Sequence, residues 1–177
     1  MRPHVVILNG PAGVWNTTVG RLLAGLAPNG TCVHGDALRG FVVSRVEGQV
    51  AGGLAYVNGA TVAANFLLAG YERVVFEFVF EHPRHVRRFV DALPCPAPVH
   101  LFTLWAPLAV VLAREVARPH RERLGARVAE CHRAMAPALP DLGTIVETAD
   151  LSAERVAVRI HRLCLAGAGL VAGTPPP

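Results

Sequence analysis

The chain contains no lysine. All 17 of its basic residues are arginine, set against 13 acidic ones, so the formal net charge of +4 rests on guanidinium groups alone. Arginine to the exclusion of lysine, with abundant Ala, Val, Gly and Pro, is the mark of strongly GC-biased coding before it is a mark of function. Aromatic residues are also scarce, at 6%. The arginines are scattered rather than interleaved with them, so the electrostatic footprint of a nucleic-acid binder is missing. The four cysteines, Cys32, Cys95, Cys131 and Cys164, include no CxxC pair, which argues against a structural zinc site and for reduced thiols in a cytoplasmic protein. No apolar run approaches the roughly 20 residues of a membrane helix. The longest, Leu101 to Ala113, is broken by Pro107 and reads as core. Met1 to Pro3 leads directly into a strand-like run, without the cationic and apolar segments of an export signal.

What is present is the composition of one globular domain, with 177 residues, 52% hydrophobic and 17% charged. A chain of this size buries roughly 70% of its unfolded surface and needs no disulfide or metal to hold its core. His4 to Leu8 reads as a buried strand ending in a glycine-rich turn, and Thr17 to Ala27 as a helix stopped by Pro28-Asn29-Gly30. A strand at Thr31 to His34 leads through Gly35-Asp36 into a helical stretch near Ala37 to Arg45. A further apolar helix covers Ala55 to Leu68, with Asn58-Gly59 able to split it. Arg73 to Phe80 has the nearly continuous apolar character of a strand covered on both faces. The alternation continues with a helix from Pro83 to Leu93, a strand from Val99 to Leu104, helices at Leu108 to Ala117 and Ala126 to Met135, a strand at Thr144 to Glu147, and a helix ending near Leu165 and capped by Ser152 or Asp150. The expectation is an α/β domain over residues 1–165, a doubly wound parallel five-stranded sheet between helical layers, with a frayed tail from 166 to 177. Ligands of such a sheet lie beyond the carboxyl ends of its strands.

The first strand–turn–helix carries Gly10-Pro11-Ala12-Gly13-Val14-Trp15-Asn16-Thr17-Thr18. It aligns with the phosphate-binding pattern GxxxxGK[ST] except that Trp15 replaces Gly and Asn16 replaces Lys. In the intact pattern backbone N–H groups and a helix N-terminus surround the phosphates, the lysine neutralises them, and the hydroxyl, here Thr17, ligates magnesium. Trp15 places an indole where the backbone normally approaches the phosphates, and Asn16 offers hydrogen bonds but no charge. No lysine elsewhere can substitute.

With Ile7 to Gly13, with Gly35-Asp36-Ala37-Leu38-Arg39 after the second strand, and with an arginine-rich segment after the fourth, the sequence resembles the phosphate-loop small-molecule kinases. That group includes chloramphenicol phosphotransferase, adenylylsulfate kinase and shikimate kinase. The resemblance implies the three-layer nucleotide-kinase architecture, ATP and magnesium as cofactors, and a small hydroxylated metabolite or antibiotic as acceptor, with the lost lysine arguing against ATP. It makes Asp36 the base on the acceptor hydroxyl, Arg39 a clamp, and Glu77 the third-strand carboxylate that positions magnesium or touches substrate. It makes Arg114, Arg118, Arg121 and Arg123 a lid over the phosphates near 114–125, and the loop Glu147 to Asp150 the place of the nucleotide base.

Read without the resemblance, Asp36 is a residue opening a helix, Glu77 is a buried acid in need of a partner such as a core-edge arginine, and the arginine-rich segment is a solvated helix face. Glu81 and His82 stand where they could line the same cleft. His82 and His85 share a helical face but have no third partner for zinc. GxSxG, Cys–His and GxGxxG signatures are missing, which removes hydrolase and dehydrogenase readings. Three functions remain open: a phosphotransferase with an atypical loop, a repurposed fold doing nucleotide-independent acid–base chemistry in the acceptor cleft, and a non-catalytic binding protein. A small molecule is the expected partner, without nucleic acid or membrane, and a homo-oligomer stays open.

Overall fold

The computed structural model describes residues 2–44, 52–117 and 124–172. Strand β1 (His4–Asn9) is the hub of the sheet. Its side chains alternate, Val5 and Ile7 entering one core and Val6 and Leu8 the other, and all four are fully buried. Helix α1 (Asn16–Gly25) follows, then β2 (Gly30–His34), α2 (Gly35–Gly40), α3 (Gly52–Leu68) and β3 (Arg73–Glu77). The second half runs α4 (Pro83–Asp91), β4 (Val99–Trp105), α5 (Leu108–Val116), α6 (Ala126–Met135), a 3₁₀ turn, β5 (Thr144–Glu147), α7 (Ala153–Leu165) and β6 (Leu170–Ala172).

The strand order is β2-β3-β1-β4-β5, all parallel, with β6 antiparallel to the start of β4. The doubly wound parallel sheet of five strands is thus present, with helices on both faces. One core packs α3 and α4, the latter through Val86 and Phe89, onto Phe76 and Phe80. The other packs α1, α5 and α7 onto Leu8, Phe102 and Leu104. The chain runs from β1 to the edge strand β2, returns to β3 beside β1, and then crosses to β4 on the other side, so the crevice between the carboxyl ends of β1 and β3 is the topological switch point at which such sheets bind ligands.

Several element boundaries differ from expectation. The expected strand to Phe80 ends at Glu77 because Asn9, fully buried, takes over the pairing. Its Oδ1 accepts from Phe80 N at 2.7 Å and Gly10 N at 2.8 Å, and its Nδ2 donates to Phe80 O at 3.1 Å. Helix α2 stops at Gly40. Asn58-Gly59 does not split α3, because a side chain at Gly59 would meet the Phe76 ring at 2.4 Å, so glycine is what lets the helix lie this close to the sheet. Of the tail expected from 166 onward, Leu170–Ala172 forms β6. Leu101 N donates to Gly169 O at 2.8 Å as the chain turns into β6. Residues 173–177 lie outside the described residues. Ser152 caps α7, accepting from Arg155 N, and no helix among the described residues is long and apolar enough to cross a membrane.

Candidate functional site

The glycine-rich turn leaves β1 as a loop with positive φ at Gly10, Gly13 and Trp15, the last being the only described non-glycine residue with that geometry. At φ 67 and ψ 29 Trp15 holds the left-handed conformation that its alignment with glycine demands, at a steric cost of about 1–2 kcal/mol. A stack offsets part of that cost, since the guanidinium of Arg114 lies 3.7 Å from the centre of the Trp15 ring. Asn16, in the lysine position, turns its amide back onto the loop. Nδ2 donates to Gly10 O at 2.8 Å and lies 3.4 Å from Pro11 O. Its Oδ1 is buried with no hydrogen-bond partner, a condition shared among the described residues only by His85 Nδ1. An unmet buried acceptor costs about 1–3 kcal/mol.

Glu77, at the carboxyl end of β3, is 9% exposed. Its Oε1 accepts from the Thr17 hydroxyl at 3.2 Å and contacts His34 Nδ1 at 2.7 Å. The parallel register that sets His34 beside Glu77 creates the second contact. The partner of this buried acid is therefore a histidine of the neighbouring strand and not an arginine. Burial raises the Glu77 carboxyl above its usual range, the bonds from His34 and Thr17 oppose that, and the negative charge of Asp36 adds to the rise.

Asp36 and Arg39 share the short α2, 3.8 Å apart. Asp36 does not cap that helix, whose N-cap is His34. Its side chain is 84% exposed and faces a cleft of about 810 Å³. The cleft runs from the loop (Pro11 to Gly13, Asn16, Thr17) past Glu77 to Arg39 on one side and α6 on the other. Gly35 makes this possible, because a Cβ there would lie 2.4 Å from the Phe78 ring.

Of the expected lid, Arg114 is on α5 and engaged below the loop. It donates to Thr148 Oγ1 at 3.0 Å, Thr148 O at 2.6 Å and Ala149 O at 3.1 Å, so it ties Trp15 to the β5–α7 loop. Arg118, Arg121 and Arg123 lie outside the described residues. His82 caps α4 by accepting from Arg84 N at 3.2 Å, while Glu81 lines the cleft. Sequence reasoning missed His34, whose role depends on strand register, and Arg127, Glu130 and Cys131, which α6 brings to the cleft from an unremarkable helical segment. Burial and the charge of Glu81 push the Cys131 thiol up to about 11, so it is no thiolate nucleophile.

The residues fit a divalent cation in one respect: a hydroxyl and a carboxylate, Thr17 and Glu77, lie in contact at the foot of the loop. Among the described residues no cluster of three or more His, Cys, Asp or Glu offers a protein-only metal cage. Toward a nucleoside triphosphate the loop offers a glycine-rich turn with positive φ at Gly10 and Gly13 and no cationic side chain at position 16. Thr18 continues α1 and Val14 is buried in the core.

This sheet order, loop and crevice define the three-layer fold of the phosphate-loop small-molecule kinases. Solved structures agree. A tunicamycin resistance protein of Deinococcus radiodurans superimposes with a TM-score of 0.65 and 20% identity over 97% of this chain and 99% of its own. A sugar kinase of Janibacter gives 0.65 and 14% over 99% and 100%. Shikimate kinase of Acinetobacter baumannii, solved with shikimate, gives 0.61 and 20% over 94% and 95%. No family model matches the sequence, and no curated protein matches it either.

Proposed function

We propose that the chain is a phosphotransferase acting on a small hydroxylated molecule held between α2 and α6. The observation that carries this is the meeting of Thr17, Glu77 and Asp36 on one cleft beneath the loop. In this reading Thr17 and Glu77 hold a divalent cation, which would neutralise charge on the phosphates of bound ATP. Asp36 takes the proton of the acceptor hydroxyl, and Arg39, 3.8 Å away, orients it. Arg118, Arg121 and Arg123 follow α5 in sequence and are a further source of cations for the loop, beside Arg39 and Arg127 of the cleft. The neighbours' acceptors are their own; what supports this reading is the kinase fold together with the arrangement of these side chains.

The experiment is calorimetric titration of Mg-ATP, followed by product analysis with a panel of hydroxylated acceptors. Binding tighter than about 1 mM, roughly −4 kcal/mol, with a phosphorylated product, supports the reading. No binding at several times that concentration overturns it.

Trp15 and Asn16 favour a second reading, a repurposed cleft that works without nucleotide. The Trp15–Arg114 stack fills the side of the loop toward Thr148, and among the described residues the cleft lining does not extend to Trp15, Arg114 or Thr148. Trp15→Gly with Asn16→Lys separates the two. Under the second reading the double variant gains ATP binding with no improvement of the native reaction.

A further inference from the structure

The carboxylate of Glu77 is held unevenly. Both of its protein donors meet the same atom, Oε1, which accepts from the Thr17 hydroxyl at 3.2 Å and contacts His34 Nδ1 at 2.7 Å. Oε2 takes no hydrogen bond from any described residue. Nor is it closed off, because the buried side-chain polar atoms without a partner among the described residues are Asn16 Oδ1 and His85 Nδ1 only. Glu77 as a whole is buried and lines the cleft. Oε2 is therefore the oxygen presented to the cleft, and Oε1 the one tied to the protein.

An ionised carboxylate only accepts hydrogen bonds, so the hydrogen of the shorter contact sits on His34 Nδ1. The backbone beneath that ring is fixed on both sides. Parallel register sets His34 beside Glu77, and the next residue, Gly35, lies so close to Phe78 that a Cβ would stand 2.4 Å from its ring. Thr17 supplies the longer bond, and its hydroxyl oxygen is itself offered to a cation. The firmer of the two ties on Oε1 thus comes from a residue outside the cleft lining. Partners of this kind orient a ligating carboxylate, and losing one typically costs about 10–100-fold in metal affinity.

We propose that His34 is a positioning residue of the cation site: by donating from Nδ1 to Oε1 it holds the Glu77 carboxylate with Oε2 toward the cleft, and so sets the affinity of Glu77 and Thr17 for a divalent cation. This rests on the reading of Thr17 and Glu77 as cation ligands. It does not depend on the acceptor or on phosphotransfer itself.

Manganese(II) alone, titrated into the full chain without nucleotide and followed by electron paramagnetic resonance, tests it. His34→Ala is expected to weaken binding roughly tenfold or more. His34→Asn, whose amide N–H takes the place of Nδ1–H, should stay within about threefold of the unaltered chain. Should the alanine variant not fold, His34→Leu, close to asparagine in bulk and without a donor, makes the same comparison. Nitrogen–proton correlation spectra of the histidine rings, with His34 identified by its loss in the asparagine variant, should show the neutral ring protonated at Nδ1. A neutral ring protonated at Nε2 overturns the proposal. So does an asparagine variant that binds as weakly as the alanine or leucine one. The two readings fail separately. Manganese binding that ignores His34 overturns the proposal and leaves the cation ligands standing, whereas no binding by the unaltered chain at about 10 mM overturns both.

Discussion

The Arg114 guanidinium lies 3.7 Å from the centre of the Trp15 ring and reaches past it to the carbonyls of Thr148 and Ala149. One side chain thereby joins the phosphate-loop turn to the loop after β5. It also holds Trp15 in a backbone conformation that L residues rarely adopt. Arg114→Ala removes the stack and three hydrogen bonds, and is expected to cost about 2 kcal/mol. In a Trp105→Phe background, needed because Trp105 is the other tryptophan, Trp15 emission should shift to the red as the indole loses its cover. Unchanged emission with unchanged stability would show that the stack does not hold the loop.

Gly35 sets how close α2 can come to the sheet. A methyl group there meets the Phe78 ring and Cβ at 2.4 to 2.7 Å, too near for a rotamer change to relieve. Gly35→Ala should lower stability by about 1–3 kcal/mol and displace Asp36 from the cleft. Stability is read by urea unfolding and cleft occupancy by ligand titration. A variant of native stability that also binds normally would count against this account of the α2 position.

Arg73 is 1% exposed and has no carboxylate hydrogen-bond partner among the described residues. Its Nε donates to His4 Nε2 at 3.1 Å, and another guanidinium nitrogen contacts His161 Nδ1 at 3.0 Å. Both imidazoles can accept only while neutral. Burial first, and then the charge of Arg73, lower His4 from 6.5 to about 4, and His161 moves in the same direction. The unfolded chain therefore binds protons between pH 6.5 and 4 that the folded chain refuses, so stability falls with falling pH across that window and levels below it. His4 alone contributes up to about 3 kcal/mol of this slope. Urea midpoints at pH 7 and 4.5 measure it, and His4→Leu should flatten the slope while lowering stability at pH 7 by leaving Arg73 Nε unmet. A midpoint that does not move between those pH values would refute the arrangement.

Cys131 lines the cleft, but its thiol is pushed up to about 11. At pH 8 about one molecule in a thousand carries the thiolate, so alkylation by iodoacetamide should be far slower than at a free thiol near 8.5. Mass-spectrometric mapping after brief labelling is expected to find Cys131 unmodified. Its rapid labelling would put a reactive cysteine in the site and require a different chemistry.

The local pattern of the chain was enough to determine the alternating elements, the turn at Gly10 to Thr18 with its two foreign residues, and the candidates Asp36, Arg39 and Glu77. Each of these is a matter of apolar period or of residue types a few positions apart. Only the tertiary structure decided who meets whom. The register of β2 on β3 placed His34 against Glu77, although 43 residues separate them. Side-chain pairing by Asn9 ended β3 early, and the fold of α5 under the loop put Arg114 on Trp15. The packing of α6 across the switch point brought Glu130 to the side of the cleft facing α2. Such contacts arise from strand register and helix packing, which no spacing along the chain encodes, and they govern the charge that the cleft presents to its ligand.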